Sequence, residues 1–213
     1  MQIVLYGATG HAGNRILTEL LSRGHQVTAI TRDPAKIAPQ PNLTIKQGDV
    51  NSAAAIAANI KGADTVVSAY APPADNTDQI LPVTQNFIDA VKQVGTSGKA
   101  PRFLYVGGAA SLEVAPGVTL LDSGHLPAEW QPIAKSHIDA LALIKKSDIN
   151  WTSFSPAAFF APGERTGKFR LGKDQLITDA EGNSKISMED YAIALVDELE
   201  KPQHERQRFT IGY

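Results

Sequence analysis

Residues 3–21 read IVLYGATGHAGNRILTELL, a short apolar run that breaks on Gly7 and passes through Gly10 and Gly13 into a segment of helical spacing. The run 3–6 has the length and composition of a buried strand. From Gly10 onward, Ala12, Ile16, Leu17, Leu20 and Leu21 share one face of a helix that Gly24 ends. Each glycine between such a strand and helix has a physical task. The first permits a tight turn, the second lets backbone approach a diphosphate, and the third lets the helix pack on the strand. The amides and partial positive charge at the helix start supply an anion site. The stretch therefore predicts a dinucleotide cradle, with Gly7, Thr9, Gly10, His11, Ala12 and Gly13 as binding residues. The plainer alternative is a turn whose glycines serve packing alone.

The same alternation continues along the chain. Strands are expected at 26–30, 43–47, 64–68, 102–106 and 150–155, with helices at 52–60, 80–94 and 133–146 between them. The helix from 80 presents Ile80, Val83, Phe87, Ile88 and Val91 on one face, and Pro82 is tolerated there only in the first turn. Asp33 before Pro34 reads as an N-cap. Residues 108–131 are rich in glycine and proline without a sustained period, which suggests a lid or substrate loop. The tail reads as a hairpin over 169–177, a helix after Ser187 with Ser187 and Asp190 at capping-box spacing, and a last strand at 208–212. Right-handed crossovers turn this order into an α/β, Rossmann-type doubly wound parallel sheet with helices on both faces. A single domain over 1–213 is expected, with a small substrate-side appendage at about 156–187.

Composition removes several classes of function. The 20 basic and 22 acidic residues are intermixed for a net charge of −2, which leaves no basic stripe for nucleic acid and no polybasic membrane patch. The chain has no cysteine, so disulfides, thiolate metal sites and cysteine nucleophiles are excluded, and no metal site is read. No apolar run is long enough to span a bilayer, and the first residues carry no export signal, so a cytoplasmic address is expected. The oligomeric state is left open between monomer and dimer.

The residues after the second strand bear on cofactor choice. An acidic side chain there would bond a ribose 2′-hydroxyl, whereas a cation accommodates a 2′-phosphate. The order Ile30, Thr31, Arg32 favours NADP(H) over NAD(H), because a guanidinium pairs strongly with phosphate. The plainer role for Arg32 is that of an exposed loop cation.

Beyond the opening GATGHAG, the chain carries Thr-Arg-Asp-Pro at 31–34, Gly48-Asp49-Val50, and Tyr105-Val106-Gly107-Gly108-Ala109. Its later half contains TSFSPAAFFAPGERTGKFRLG and ISMEDYAIALVDELEKPQHERQRFTIGY. Across essentially its whole length the sequence resembles the atypical short-chain dehydrogenase/reductases. Within them it is most like the NAD(P)H-binding, NmrA-like group that includes biliverdin reductase B and NADH-flavin reductases. The resemblance implies that Asp49 and Val50 border the adenine and that Ser68, Ala69 and Tyr70 line the ribose side. It likewise implies cofactor contacts at Gly107 and places Ser155, Pro156 and Ala157 near the nicotinamide. Asp49 has a simpler reading as a helix-start carboxylate, and Pro156 as a strand terminator.

One departure limits what the resemblance says about chemistry. Standard members use a tyrosine four residues before a lysine to exchange a proton. Here Lys135 fits the lysine, but Gln131 occupies the tyrosine position, and an amide is no acid at neutral pH. Ser111 retains the ability to orient a substrate, and Lys135 either binds the cofactor ribose or is an ordinary surface lysine. His137 and His125 are candidate proton donors, with a satisfied core histidine as the simpler reading of His137. Phe154, Phe159, Phe160, Trp130 and Trp151 offer a stacking wall, Phe159 and Phe160 being the better placed. These features suit an NADPH-dependent reductase of a planar small-molecule acceptor, a free flavin or a quinone, that needs no protein acid. Two alternatives stand beside it: a non-enzymatic NADP(H)-sensing regulator, and an epimerase or lyase using the dinucleotide transiently.

Overall fold

Strand and helix alternate from the first residues of the computed structural model, which describes residues 1–213. In chain order the elements are β1 (Gln2–Tyr6), α1 (His11–Ser22), β2 (Gln26–Thr31), β3 (Leu43–Gln47), α2 (Ala53–Ile60), β4 (Thr65–Ser68), α3 (Ile80–Gly95) and β5 (Arg102–Val106). They continue with β6 (Glu113–Ala115), β7 (Val118–Thr119), α4 (Gln131–Lys146), β8 (Trp151–Ser155), β9 (Phe159–Ala161), β10 (Arg170–Gly172), β11 (Lys185–Ser187), α5 (Met188–Glu200) and β12 (Gln207–Gly212).

The main sheet runs β10-β12-β8-β5-β4-β1-β2-β3, and every pairing in it is parallel except that of β10 with β12. This is the Rossmann-type doubly wound arrangement. From β1 the chain moves outward through β2 to β3, then crosses back to β4 on the other side of β1. The strand order reverses between β1 and β4, and ligands of such sheets sit at the carboxyl ends of the strands at that point.

Side chains alternate across the pleat and build one core on each face. Ile16, Leu17 and Leu20 of α1 meet Leu195 and Leu199 of α5 over Leu5, Phe154 and Phe209. On the other face Ile56 and Ile60 of α2, Phe87 and Val91 of α3 and Ile144 of α4 cover Val66, Phe103, Tyr105 and Trp151. Phe154 stacks between Tyr191 and Phe209 at centroid distances of 4.1 and 4.0 Å. Beside this stack, buried Arg102 pairs with buried Glu198, and Arg102 Nε donates to Thr152 Oγ1 at 3.1 Å.

Several local expectations are revised. There is no hairpin over 169–177: β10 pairs antiparallel with β12, a distant strand with a free edge, and residues 174–176 bond instead to Glu113. The stretch 156–187 is therefore only partly peripheral, since β10 closes the main sheet while β9 and β11 form a separate parallel pair. Residues 108–131 are not wholly irregular either, because β6 and β7 form a short antiparallel pair within them. Asp33 accepts from Ala35 N at 3.2 Å, but the helix it caps is the single turn Pro34–Lys36. Ser187 caps α5 by accepting from Asp190 N at 3.0 Å. The Asp190 carboxylate does not reciprocate. It accepts from Thr166 N and Gly167 N, each at 2.8 Å, and from the Tyr213 hydroxyl at 2.8 Å, which pins the loop after β9.

Candidate functional site

The glycine loop follows β1 directly. Gly7 has φ +84°, a left-handed conformation that favours glycine, and a Cβ there would stand 2.2 Å from Ala69 O. Gly13 is pressed against the same turn, and a Cβ on it would come within 2.0 Å of Gly7 O. Gly10 N donates to Gly7 O at 3.0 Å, and Gly10 then caps α1 without any side-chain hydrogen bond to the first amides. Those amides have no intrahelical partner by geometry, an arrangement that suits an anion.

A cleft of about 380 Å³ opens beside it at the β1/β4 reversal. Gly7, Thr9, Gly10, Arg32, Asp49, Val50, Ala69 and Tyr70, all expected from the sequence, line it together. The structure adds Asn51, the Ala71, Pro72 and Pro73 run after β4, and Gln79. The paired prolines were a visible sign of a stiff loop; Gln79 had no sequence signal. Its Oε1 accepts a hydrogen bond from the Tyr70 hydroxyl at 3.0 Å. Gly48 is needed for packing, since a Cβ there would meet Ile30 Cγ2 at 2.8 Å.

Arg32 is exposed at the cleft and makes no ion pair. Burial raises the Tyr70 hydroxyl above its ordinary value, and the Arg32 charge opposes that shift. Tyr6, at the cleft floor, is pushed up to about 12 by burial; the hydrogen bond from Asn59 acts against this and the Asp49 charge with it. Asp49 also accepts Asn51 N at 2.8 Å, which fixes the turn after β3.

The remaining expected residues lie outside this cleft. His11 is exposed at the start of α1 beside Ala12, while Gly13 serves packing behind the loop. Ser68 is buried at the end of β4, and Ala157 is buried after β8 while Pro156 ends that strand. Around Gly107 the two strand ends converge: a Cβ there would stand 3.1 Å from Ser153 Oγ and 3.6 Å from Ser155 Oγ. Both hydroxyls are buried without a hydrogen-bond partner. Leaving one such group unsatisfied costs about 1–3 kcal/mol, so the pair is a feature that packing alone does not explain.

Lys135 is exposed on α4 and makes no hydrogen bond or ion pair, and Gln131 Nε2 turns to Leu126 O at 3.4 Å. Ser111 Oγ accepts from Arg208 Nη1 at 2.9 Å, and Arg208 Nε donates to Asp174 at 2.9 Å. Arg208, which sequence reasoning missed, thus ties the segment after β5 to the segment after β10. His125 is exposed and bonded to Ser123 Oγ at 3.1 Å. His137 lies against Gly108, with Nδ1 2.7 Å from the Tyr105 hydroxyl. Of the proposed stacking wall, Phe154 and Trp151 belong to the core, whereas Trp130 and Phe159 are 55% and 65% exposed. The Phe160 ring packs on Tyr191 at 4.8 Å. No helix is long and apolar enough to cross a membrane.

A family model described as NAD(P)H-binding matches residues 7–202, from the glycine loop through the end of α5. The uncharacterised YwnB protein of Bacillus subtilis (strain 168) is 41% identical over 215 residues, covering 99% of this chain and 98% of its own. A crystal structure of a candidate epimerase from Bacteroides thetaiotaomicron is 47% identical with a TM-score of 0.91, covering 100% of this chain and 96% of that one. A candidate NADH-flavin reductase from Streptococcus pneumoniae TIGR4 is 34% identical with a TM-score of 0.88, covering 100% of this chain and 99% of that one.

Proposed function

This chain belongs to the NAD(P)H-binding family, and on that premise we propose that it is an NADPH-dependent reductase of a planar acceptor, a free flavin or a quinone. The observation that carries the reading is the absence of a proton-donating pair on α4. Gln131 bonds backbone and Lys135 stands alone in solvent, which favours an acceptor that delocalises added charge and takes its proton from water.

The cleft fits the cofactor. The uncapped amides of α1 and the Gly7–Gly13 contact suit a pyrophosphate, the unpaired Arg32 suits a 2′-phosphate, and Tyr70 and Val50, which line the same cleft, would flank the adenosine. Ser155, Gly107 and Ala157 would lie at the nicotinamide end, beside the buried, unpartnered hydroxyls of Ser153 and Ser155. When bound, NADPH supplies a hydride to the acceptor and leaves as NADP⁺, while water supplies the completing proton. The protein contributes orientation and exclusion of solvent. Exposed Phe159 and Trp130 give the acceptor apolar faces to stack on.

The test is to mix the protein with NADPH and FMN, or a quinone, and follow the nicotinamide absorbance. Catalysed loss supports the reductase. Tight NADPH binding without turnover by flavins, quinones or biliverdin overturns it in favour of an NADP(H)-sensing protein.

A further inference from the structure

We infer that His137 is a neutral hydrogen-bond donor to the acceptor, held in its Nε2–H form by Tyr105; the inference rests on the reductase reading. The geometry at the ends of β5 and α4 leads to it. Tyr105 is 2% exposed, and its hydroxyl has one partner, His137 Nδ1, at 2.7 Å. A buried O–H with no acceptor is costly. The tyrosine therefore donates to Nδ1, and the ring proton of a neutral imidazole must sit on Nε2. The ring is fixed from its other side by the main chain, because Gly108 carries no side chain where a Cβ would stand 3.1 Å from His137 Cβ. A Cβ at position 108 would require the His137 side chain to give by a few tenths of an ångström.

The charge state follows from the surroundings. Tyr105 from β5 is the one titratable group bonded to the imidazole, the loop at Gly108 contributes none, and Lys135 and Asp139 on the same helix are exposed. Burial draws the imidazole down to about 4 and holds the Tyr105 hydroxyl far above its ordinary value. Both groups are uncharged at neutral pH. His137 is thus unsuited to the role of a titrating acid, since a neutral imidazole does not give up a proton at this pH. It can donate a hydrogen bond whose strength grows as the acceptor gains negative charge with the hydride. Donors of that kind act by electrostatic stabilisation, with no proton changing owner.

The position fits the task. Gly107 and Gly108 follow β5 at the carboxyl edge of the sheet, and the buried, unpartnered hydroxyls of Ser153 and Ser155 pack against Gly107. His137 is partly exposed, and its one hydrogen bond is to Tyr105, unlike Ser136 beside it, which is buried and bonded to Asp78 at 2.7 Å.

The experiment has a spectroscopic and a kinetic arm. Long-range proton–nitrogen correlation spectra of the ¹⁵N-histidine protein, with His137→Phe identifying the signals, should show an Nε2-protonated ring that does not titrate between about pH 5.5 and 8. Tyr105→Phe should release the ring to a mixture of tautomers. In turnover with NADPH and FMN, His137→Phe should lower kcat about tenfold or more with NADPH affinity unchanged, and His137→Gln, which keeps an N–H donor, should recover part of the loss. An Nδ1-protonated ring, titration near the ordinary histidine value, or full turnover in His137→Phe overturns the inference. If the unmodified protein reduces no acceptor, the reductase reading falls and the donor role with it, and the spectra then report on the tyrosine–histidine pair alone.

Discussion

Replacing Arg32 with alanine separates the two nicotinamide dinucleotides. Its guanidinium faces the cleft beside Tyr70 without a carboxylate partner, so nothing inside the protein competes with a phosphate for it. A hydrogen bond to a charged group contributes about 1.5–3 kcal/mol. Arg32 is exposed, and screening by water and salt puts the expected loss at the low end, about 1.5 kcal/mol. That corresponds to roughly a tenfold weaker Kd for NADPH. NADH lacks the 2′-phosphate, so its affinity should change by less than about twofold. Arg32→Lys should fall between, keeping the charge and losing the forked geometry. The measurement is a calorimetric titration with each dinucleotide at two salt concentrations, and the preference for NADPH should shrink at the higher. Equal weakening of both dinucleotides, or of neither, would refute the assignment of Arg32 to the 2′-phosphate.

Gly13→Ala places a Cβ 2.0 Å from Gly7 O, which forces loop and helix apart at about 1–3 kcal/mol; a lower Tm and about tenfold weaker binding of both dinucleotides are expected, and unchanged values would count against the cradle. Arg208→Ala frees Ser111 and Asp174, so turnover should drop while NADPH affinity holds. A parallel loss in calorimetric affinity would show that the tie serves the cofactor cleft instead. For Asp190, burial acts to raise the carboxyl, but the hydrogen bonds from Thr166, Gly167 and Tyr213 overcome it and hold the carboxyl below the ordinary range. The stability it contributes is fully present above the unfolded value of about 3.9 and is lost as pH falls through it toward the folded value. Urea midpoints at descending pH should show a shallower acid slope for Asp190→Asn, and an unchanged slope would remove Asp190 from that role.

The glycine loop was legible because its constraint is local: Gly7 and Gly13 are forced by the turn they make, and the same contacts appear in the structure. The alternation of apolar strands and amphipathic helices likewise fixed the sheet's parallel centre. Its edges were not legible. Residues 169–177 have the turn residues of a hairpin, yet the unpaired backbone of β12, far along the chain, outcompetes the local partner for β10. In the cleft, residues at strand ends were found from sequence, whereas Asn51 and Gln79 arrive through loop and helix placement that no periodicity records. Arg208 and the Tyr105–His137 pair were hidden for a related reason. Each joins segments far apart in the chain, and a buried arginine or tyrosine reads in sequence as any strand residue does.

The two tryptophans stand in opposite surroundings, and this gives the molecule a built-in optical gauge. Trp151 is 4% exposed inside the core under α4, while Trp130 is 55% exposed just before that helix. Emission from the first reports the integrity of the sheet, and emission from the second reports what comes to rest on the surface ahead of α4. Selective quenching of the red-shifted component by a flavin, with the blue component steady, would distinguish docking of an acceptor from a change in the fold without any label.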